Sequence, residues 1–306
     1  MMRSSVSRGP AARVRAAIVA ATETLTKAGI DSARNDAELL AAHAAGVDRG
    51  RLVLVDSPGA DFYDRFGAAV AARARRIPLQ HITGTATFGP VRLEVGPGVF
   101  IPRPETELLL EWALAQDLPG KPVIVDLCTG SGALALALAA GRPDSRVIAV
   151  EDDSTALGYA RRNAVTTRVH IVAGDATDPD LLTELADGVD LVVANPPYIP
   201  LGAALDPEVA EHDPKRALFG GVDGMAVITP IVHRAVHWLC RGGLLAIEHD
   251  DTTSAATVDT ITATGAFADV VSHRDLSGRP RFVTARRTGR SDLAANRAIP
   301  GIEEGG

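Results

Sequence analysis

Four consecutive residues, Asn195-Pro196-Pro197-Tyr198, follow directly on the apolar run Leu191–Ala194, and their types suit one task. A planar NH2 nitrogen, as in a carboxamide or an adenine, has a delocalised lone pair and is a poor nucleophile. A site assists it by accepting hydrogen bonds from both N–H groups. The Asn195 side-chain oxygen is one acceptor, and the Pro196 carbonyl is the other. Two prolines stiffen the backbone that carries them, so less entropy is lost on binding. Tyr198 offers a flat face to pack on the planar group. Asn-Pro by itself often only starts a turn. Here the tetrapeptide ends a predicted strand, where a doubly wound sheet opens its ligand crevice. The motif specifies a planar nitrogen, not which one.

A second constellation lies upstream. Val123–Leu127 runs into Cys128-Thr129-Gly130-Ser131-Gly132 and then into the apolar stretch Ala133–Ala140, which reads as strand, tight turn and helix. The first such turn of a doubly wound sheet receives nucleotide-like ligands. Glu151 ends the next predicted strand, where an acidic side chain can grip both hydroxyls of a ribose. Asp126 stands just before the turn and would repel a pyrophosphate seated at the helix N-terminus. The third glycine of the dinucleotide fingerprint is replaced by Ala135. A cationic ligand reverses the electrostatics, so the expected cofactor is S-adenosylmethionine rather than NAD. Asp175, after the third strand, is placed to reach the adenine amino group.

The elements that hold these residues follow from periodicity. Val14, Ile18 and Leu25 share a helical face that Gly29 ends. Asp31 is the expected N-cap of a second helix closing at Gly46, and Phe62, Phe66 and Val70 mark a third that stops before Pro78. From His81 the period becomes two: Thr85–Phe88 and Val91–Val95 alternate around Gly89-Pro90 as a hairpin. Ile101-Pro-Arg-Pro104-Glu105 leads into a helix with proline in its first turn. Beyond Pro122, strands are expected at Val123–Leu127, Arg146–Val150, Val169–Val172, Leu191–Ala194, Leu244–Glu248 and Arg281–Ala285. Alternating with helices, they predict a mostly parallel α/β sheet covered on both faces.

Composition removes other classes. The 306 residues are 46% apolar and 23% charged, ordinary for a globular chain. The longest apolar run, Ala133–Ala140, is too short to span a membrane, and MMRSSVSRGP leads into no apolar segment, so no signal peptide is expected. Cys128 and Cys240 form no C-x-x-C pair, which fits a reducing cytoplasm. Residues 1–80 carry 12 Lys/Arg against 8 Asp/Glu, whereas the remainder is strongly acidic, so no stable nucleic-acid partner is expected. His233 and His237 lack the glutamate of H-E-x-x-H, and no metal site is expected. Arg73, Arg75 and Arg76 read as a solvated helix end. Glu211-His-Asp213 reads as a solvated loop, Glu248 as a strand end near the crevice, and Cys240 as a buried apolar residue.

Taken together, these motifs resemble the HemK/PrmC family of release-factor glutamine methyltransferases. The resemblance runs from about Pro78 to Arg287. It rests on Pro78-Leu-Gln-His-Ile-Thr-Gly84, Phe100-Ile-Pro-Arg-Pro-Glu-Thr-Glu107, Asp126–Gly132, Asn195–Tyr198, Ala217-Leu-Phe-Gly-Gly-Val-Asp-Gly224 and Glu248-His249. It implies a Rossmann-like, seven-stranded class I methyltransferase domain over residues 101–287. Ahead of it come an all-α substrate-recognition domain (1–80) and a β-hairpin linker (81–100), and a disordered tail (288–306) follows. The implied activity is methyl transfer from S-adenosylmethionine to the side-chain nitrogen of the glutamine in the Gly-Gly-Gln motif of class 1 release factors, by a cytoplasmic monomer. Cys128 to Gly132, Glu151, Asp175, Ala176 and Asn195 would line the cofactor, and Asn195 to Tyr198 with Phe100 would hold the glutamine. Cys128 stands where the family has glycine, Ala176 where a bulky aromatic is common, and Asp250 where glycine follows Glu-His. The rival expectations are an adenine methyltransferase acting on nucleic acid, a ribosomal-protein glutamine methyltransferase, and a silent cofactor-binding module.

Overall fold

The computed structural model describes residues 10–56 and 58–289. These fall into two compact units, one up to Thr85 together with Pro207–His212, the other from Ala86 to Asp206 and from Asp213 onward. The first unit holds α1 (Pro10–Lys27), α2 (Ala33–Ala45), α3 (Phe62–Ala74) and α4 (Leu79–Thr83). Val14, Ala21 and Leu25 of α1 meet Ala37 and Leu40 of α2 and Phe62 and Phe66 of α3 in a small core. Gly46 closes α2 in the left-handed conformation, as expected. Asp31 does not cap that helix. It starts at Ala33 after Ser32, whose hydroxyl instead donates to Asp36 Oδ1 at 2.8 Å.

That carboxylate is already committed. Arg73 is buried, with its Nε donating to Asp36 Oδ2 at 2.7 Å and its Nη1 to Glu208 Oε2 at 2.8 Å. The solvated helix end expected for the Arg73–Arg76 cluster is therefore wrong at Arg73. Arg76 also turns inward, toward the carbonyls of Ala28 and Gly29.

In the second unit, β1 (Thr85–Phe88) and β2 (Val91–Glu94) form a two-stranded sheet. From Ala86 on, this hairpin belongs to the larger unit rather than standing between two domains, because Phe88, Leu93 and Val95 are buried in its core. Then come α5 (Thr106–Ala115), β3 (Val123–Leu127), α6 (Ala133–Gly141), β4 (Arg146–Glu151), α7 (Ser154–Ala164), β5 (His170–Ala173) and β6 (Val189–Ala194). After α8 (Pro207–His212), grouped with the helical unit, follow α9 (Lys215–Leu218), α10 (Ile228–Trp238), β7 (Leu239–Glu248), α11 (Ser254–Ala263), β8 (Phe267–Arg274) and β9 (Pro280–Arg287). Pro104 lies ahead of α5 rather than in its first turn.

Seven strands make the main sheet in the order β5-β4-β3-β6-β7-β9-β8. The pairs from β5 to β7 are parallel, and β9 is antiparallel to both neighbours. Successive side chains point to opposite faces. Ile124, Leu191 and Val193 therefore pack under α5 and α6, while Val125, Val192 and Leu245 pack under α10. On α10, Ile228, Ile231, Val232, Ala235 and Trp238 recur at helical spacing and are all buried. The edge strand β8 escaped the residue-by-residue expectation. Its sequence FADVVSHR mixes charge with β-branched residues, and most of it is exposed or half-buried. Cys240 is half-buried rather than core, and its thiol donates to Asp190 Oδ1 at 3.7 Å. Thr288 bonds to the Ala266 carbonyl, and residues 290–306 of the expected disordered tail lie outside the described residues.

Replacing Arg73 by Met leaves Asp36 buried without its cation. Removing one partner of a buried pair costs about 3–5 kcal/mol. Denaturant unfolding of Arg73→Met is expected to show a loss of that size, and a loss below about 1 kcal/mol would contradict this reading of the pair.

Candidate active site

Along the sheet the strand order reverses at β3, between β4 and β6, and a crevice opens there at the carboxyl ends. It contains a cavity of about 440 Å³, within the roughly 300–1,000 Å³ span of small-molecule sites. Phe100, Cys128 to Ser131, Glu151, Asp175, Ala176, Asn195 and Pro197 line it. Gly132, Pro196 and Tyr198 are not part of that wall. Asp126, the acid expected beside the ligand, is, and so are Phe88, Thr106 and Arg216, to which no pocket role was attached from sequence.

The turn after β3 is built from left-handed residues. Cys128, Gly130 and Gly132 have φ of 57°, 59° and 87°. At Gly132 a side chain would be strained by that φ and would also crowd Leu136, so glycine is required where α6 begins. Cys128 carries the same conformation with a side chain, which explains why glycine suits its position in the family. Burial holds its thiol protonated. Asp126 lies beneath the turn, accepting from the Thr129 hydroxyl and from Ala135 N at 3.1 Å. The residue that replaces the third glycine thus donates its backbone N–H to the acidic group that argued against a pyrophosphate. Asn163 ties the hairpin to the turn, its Nδ2 donating to Ser131 O at 2.9 Å and to Glu94 O at 3.0 Å.

Two cavity carboxylates are held away from their ordinary ionisation. Burial pushes Asp126 up to about 7 against the hydrogen bonds from Thr129 and Ala135. Burial also raises Glu151, although its oxygens accept from Gly130 N at 2.8 Å, Asp153 N at 2.9 Å and Asp152 N at 3.1 Å. Asp175 behaves oppositely: the Thr177 hydroxyl and N–H, both on Oδ1, hold it below the usual range and leave Oδ2 to accept from a ligand. Ala176 is buried beside it. Asp250, in place of the family's glycine, sits in ordinary extended backbone and accepts from Thr252 N, so no glycine is needed there.

At the end of β6, Asn195 donates through Nδ2 to Thr106 Oγ1 at 3.1 Å. Among the described residues nothing donates to Asn195 Oδ1 or to the Pro196 carbonyl. Tyr198 turns its hydroxyl to Glu248 Oε1 at 3.1 Å instead of facing the cavity. Glu248 is 3% exposed, and burial pushes it up to about 7. The segment 217–224 clasps the motif's backbone through Ile199 N to Leu218 O at 2.8 Å and Gly220 N to Ile199 O at 3.0 Å. A Cβ on Gly220 would lie 2.4 Å from Pro197 O and 2.7 Å from Gly224 O. Phe100 is capped by the Arg103 guanidinium 5.0 Å from its ring centroid, and Arg103 pairs with Asp213. Asp213 is therefore buried and paired, which corrects the solvated loop expected at 211–213. Among the described residues no cluster of His, Cys, Asp or Glu has metal-binding geometry.

A seven-stranded sheet in this order, with an acidic cavity at its reversal point, defines an S-adenosylmethionine-dependent class I methyltransferase. The PrmC N-terminal domain matches residues 16–84 and the methyltransferase small domain matches residues 96–212. A release factor glutamine methyltransferase of Mycolicibacterium smegmatis is 66% identical over 91% of this chain and 99% of its own. One from Mycobacterium tuberculosis is 59% identical over 92% and 94%, and one from Streptomyces coelicolor 49% identical over 89% and 97%. The chain belongs to the release factor glutamine methyltransferase family.

A cationic ligand favours the ionised forms of Asp126 and Glu151, which are raised in the free protein. The sign follows: affinity grows as pH rises and both carboxylates ionise without having to lose protons on binding. Calorimetry with S-adenosylmethionine is expected to show about tenfold tighter binding at pH 8 than at pH 6 for a group titrating near 7. The neutral thioether of S-adenosylhomocysteine should weaken that dependence, and affinity that falls with pH would refute it. Gly220→Ala is expected to displace the Pro197 carbonyl and cost about 1–3 kcal/mol of stability, by the overpacking rule. Activity should fall further than unfolding accounts for, and a fully active variant at native stability would contradict the close approach.

Proposed function

We infer that the protein methylates the side-chain amide nitrogen of the glutamine in the Gly-Gly-Gln tripeptide of class 1 peptide-chain release factors. The observation that supports this is a pair of acceptors with no donor among the described residues, Asn195 Oδ1 on a residue of the cavity wall and the carbonyl of the adjoining Pro196, which suit the two N–H groups of a planar amide. The cavity fits the cofactor by size and by charge, since Asp126, Glu151 and Asp175 all stand in or under its wall. S-adenosylmethionine supplies the electrophilic methyl group.

This chain's own residues hold and orient. Glu151 would take the ribose hydroxyls, Asp175 Oδ2 the adenine amino group with Ala176 against the ring, and the turn from Cys128 to Gly132 the methionine end. Asn195 and Pro196 would accept both amide hydrogens, which raises electron density on nitrogen and fixes its plane toward the methyl group. Pro197 keeps that backbone rigid, and Phe100 under Arg103 closes one side of the glutamine pocket. A single glutamine contacts little surface, so most affinity for a folded release factor would come from elsewhere, and the helical unit is the proposed second contact.

The test is labelled S-adenosylmethionine with intact release factor, followed by peptide mapping of the methyl. Label on the Gly-Gly-Gln glutamine is expected, with a short peptide of that sequence a far poorer substrate. Asn195→Ala should lose about a thousandfold in rate, or about 4 kcal/mol, while cofactor affinity stays within a few-fold. Glu151→Gln should weaken cofactor binding and leave the acceptor grip intact. Comparable methylation of adenine in oligonucleotides would overturn the assignment.

A further inference from the structure

An ion pair crosses the crevice. Asp152 directly follows β4, and the Arg216 guanidinium that pairs with it belongs to α9. The stretch containing α9 is bonded to the backbone that leaves β6: Ile199 N donates to Leu218 O at 2.8 Å, and Gly220 N donates to Ile199 O at 3.0 Å. Because β3 lies between β4 and β6, a link between these two segments spans the reversal point of the sheet. Both partners line the cavity. Among the described residues of that wall Arg216 is the only cation, beside Asp126, Glu151, Asp152, Asp153 and Asp175. A positive charge does not help to hold a cationic cofactor, so attraction of that ligand does not account for Arg216. Its partner does: Asp152 also gives its backbone N–H to Glu151 Oε1 at 3.1 Å, and thereby helps to set the carboxylate proposed for the ribose.

We propose that Arg216 and Asp152 are positioning residues that hold the clasp on the acceptor motif at a fixed span from the cofactor wall. The nitrogen gripped after β6 then stays aligned with the methyl group held beside β3 and β4. Methyl transfer needs nitrogen and methyl carbon in line and nearly in contact, and a 1 Å misplacement can cost about a hundredfold in rate. The backbone after β4 and the backbone after β6 belong to separate connections, so side chains must set the distance between them. With side chains 64% and 31% exposed, the pair adds little to global stability, and its contribution is geometric. Just ahead of Arg216, Asp213 pairs with Arg103 over Phe100, so one short stretch of chain ties together the glutamine pocket, the acceptor motif and the cofactor wall. This rests on the proposed transfer to glutamine, and it gives α9 a part that the activity by itself does not assign.

The test is a double-mutant cycle of Arg216→Ala and Asp152→Asn with intact release factor. Either change should lower kcat about tenfold, with KM for the release factor, affinity for S-adenosylhomocysteine and the unfolding midpoint near native values. The double variant should lose no more than either single one, because the two side chains act as one bridge. Native-state hydrogen exchange of the cofactor-free protein supplies a readout that needs no turnover. Protection of the Ile199 and Gly220 amides should fall about tenfold in both single variants. Native kcat in Arg216→Ala, additive losses in the double variant, or unaltered protection at both amides would overturn the proposal. Weakened S-adenosylhomocysteine binding at native kcat would also overturn it, by making Arg216 a contact of the cofactor. If native enzyme fails to methylate release factors, the substrate assignment falls, while the exchange comparison still decides whether the bridge holds the clasp.

Discussion

β3 pairs on one side with β4 and on the other with β6, so the connections that follow these strands leave toward opposite faces and cannot close over the gap between them. Every group in the candidate site depends on this reversal. The glycine turn leaves β3, Glu151 ends β4, and Asn195 leaves β6, three chain segments remote in sequence that share one strand edge. The parallel register sets their depth to within a residue, because a slip by one position would send Asp126 and Asn195 to the wrong faces. The hairpin, clamped by Asn163, and α5 complete the wall from the side.

Within that frame the site is unusual in holding acids rather than neutralising them. Asp126, Glu151 and Glu248 are all buried, and none is paired with a cation in a salt bridge among the described residues. They accept from hydroxyl and backbone N–H donors instead, with Glu248 Oε2 left without a partner. Hydrogen bonds without counter-charge leave burial as the largest influence, which raises all three. A cavity of this kind is electrostatically incomplete by itself and is completed by a positively charged occupant. The arrangement favours a sulfonium cofactor and disfavours a pyrophosphate.

What could be read without coordinates was local. The glycine turn, Glu151 and the Asn195–Tyr198 motif each declare themselves within a few residues, because a left-handed turn and a proline-stiffened strand end need particular residue types. The parallel core was legible for the same reason, since fully buried strands are short continuous apolar runs. The polar partners were not. Arg73 finds Asp36 and Glu208, Arg103 finds Asp213, and Thr106 finds Asn195, all across long stretches of chain. A charged residue at a helix end looks the same in sequence whether solvent or a distant carboxylate receives it. Gly220 was quoted as part of a motif, but its reason, the Pro197 carbonyl 2.4 Å from where a Cβ would stand, exists only in three dimensions.

The ion pair of Arg73 with Glu208 has a consequence for how the polypeptide is made. Residues 10–85 leave the ribosome as an almost complete helical bundle, but the second carboxylate for the buried guanidinium is translated only after β3, β4, β5 and β6. Until then Arg73 has Asp36 alone, and the bundle lacks α8. Vectorial synthesis therefore delivers the first unit early and finishes it late, with a long loop to close before its last contact forms. The unit that begins the chain is among the parts whose native state waits for the middle of the sheet.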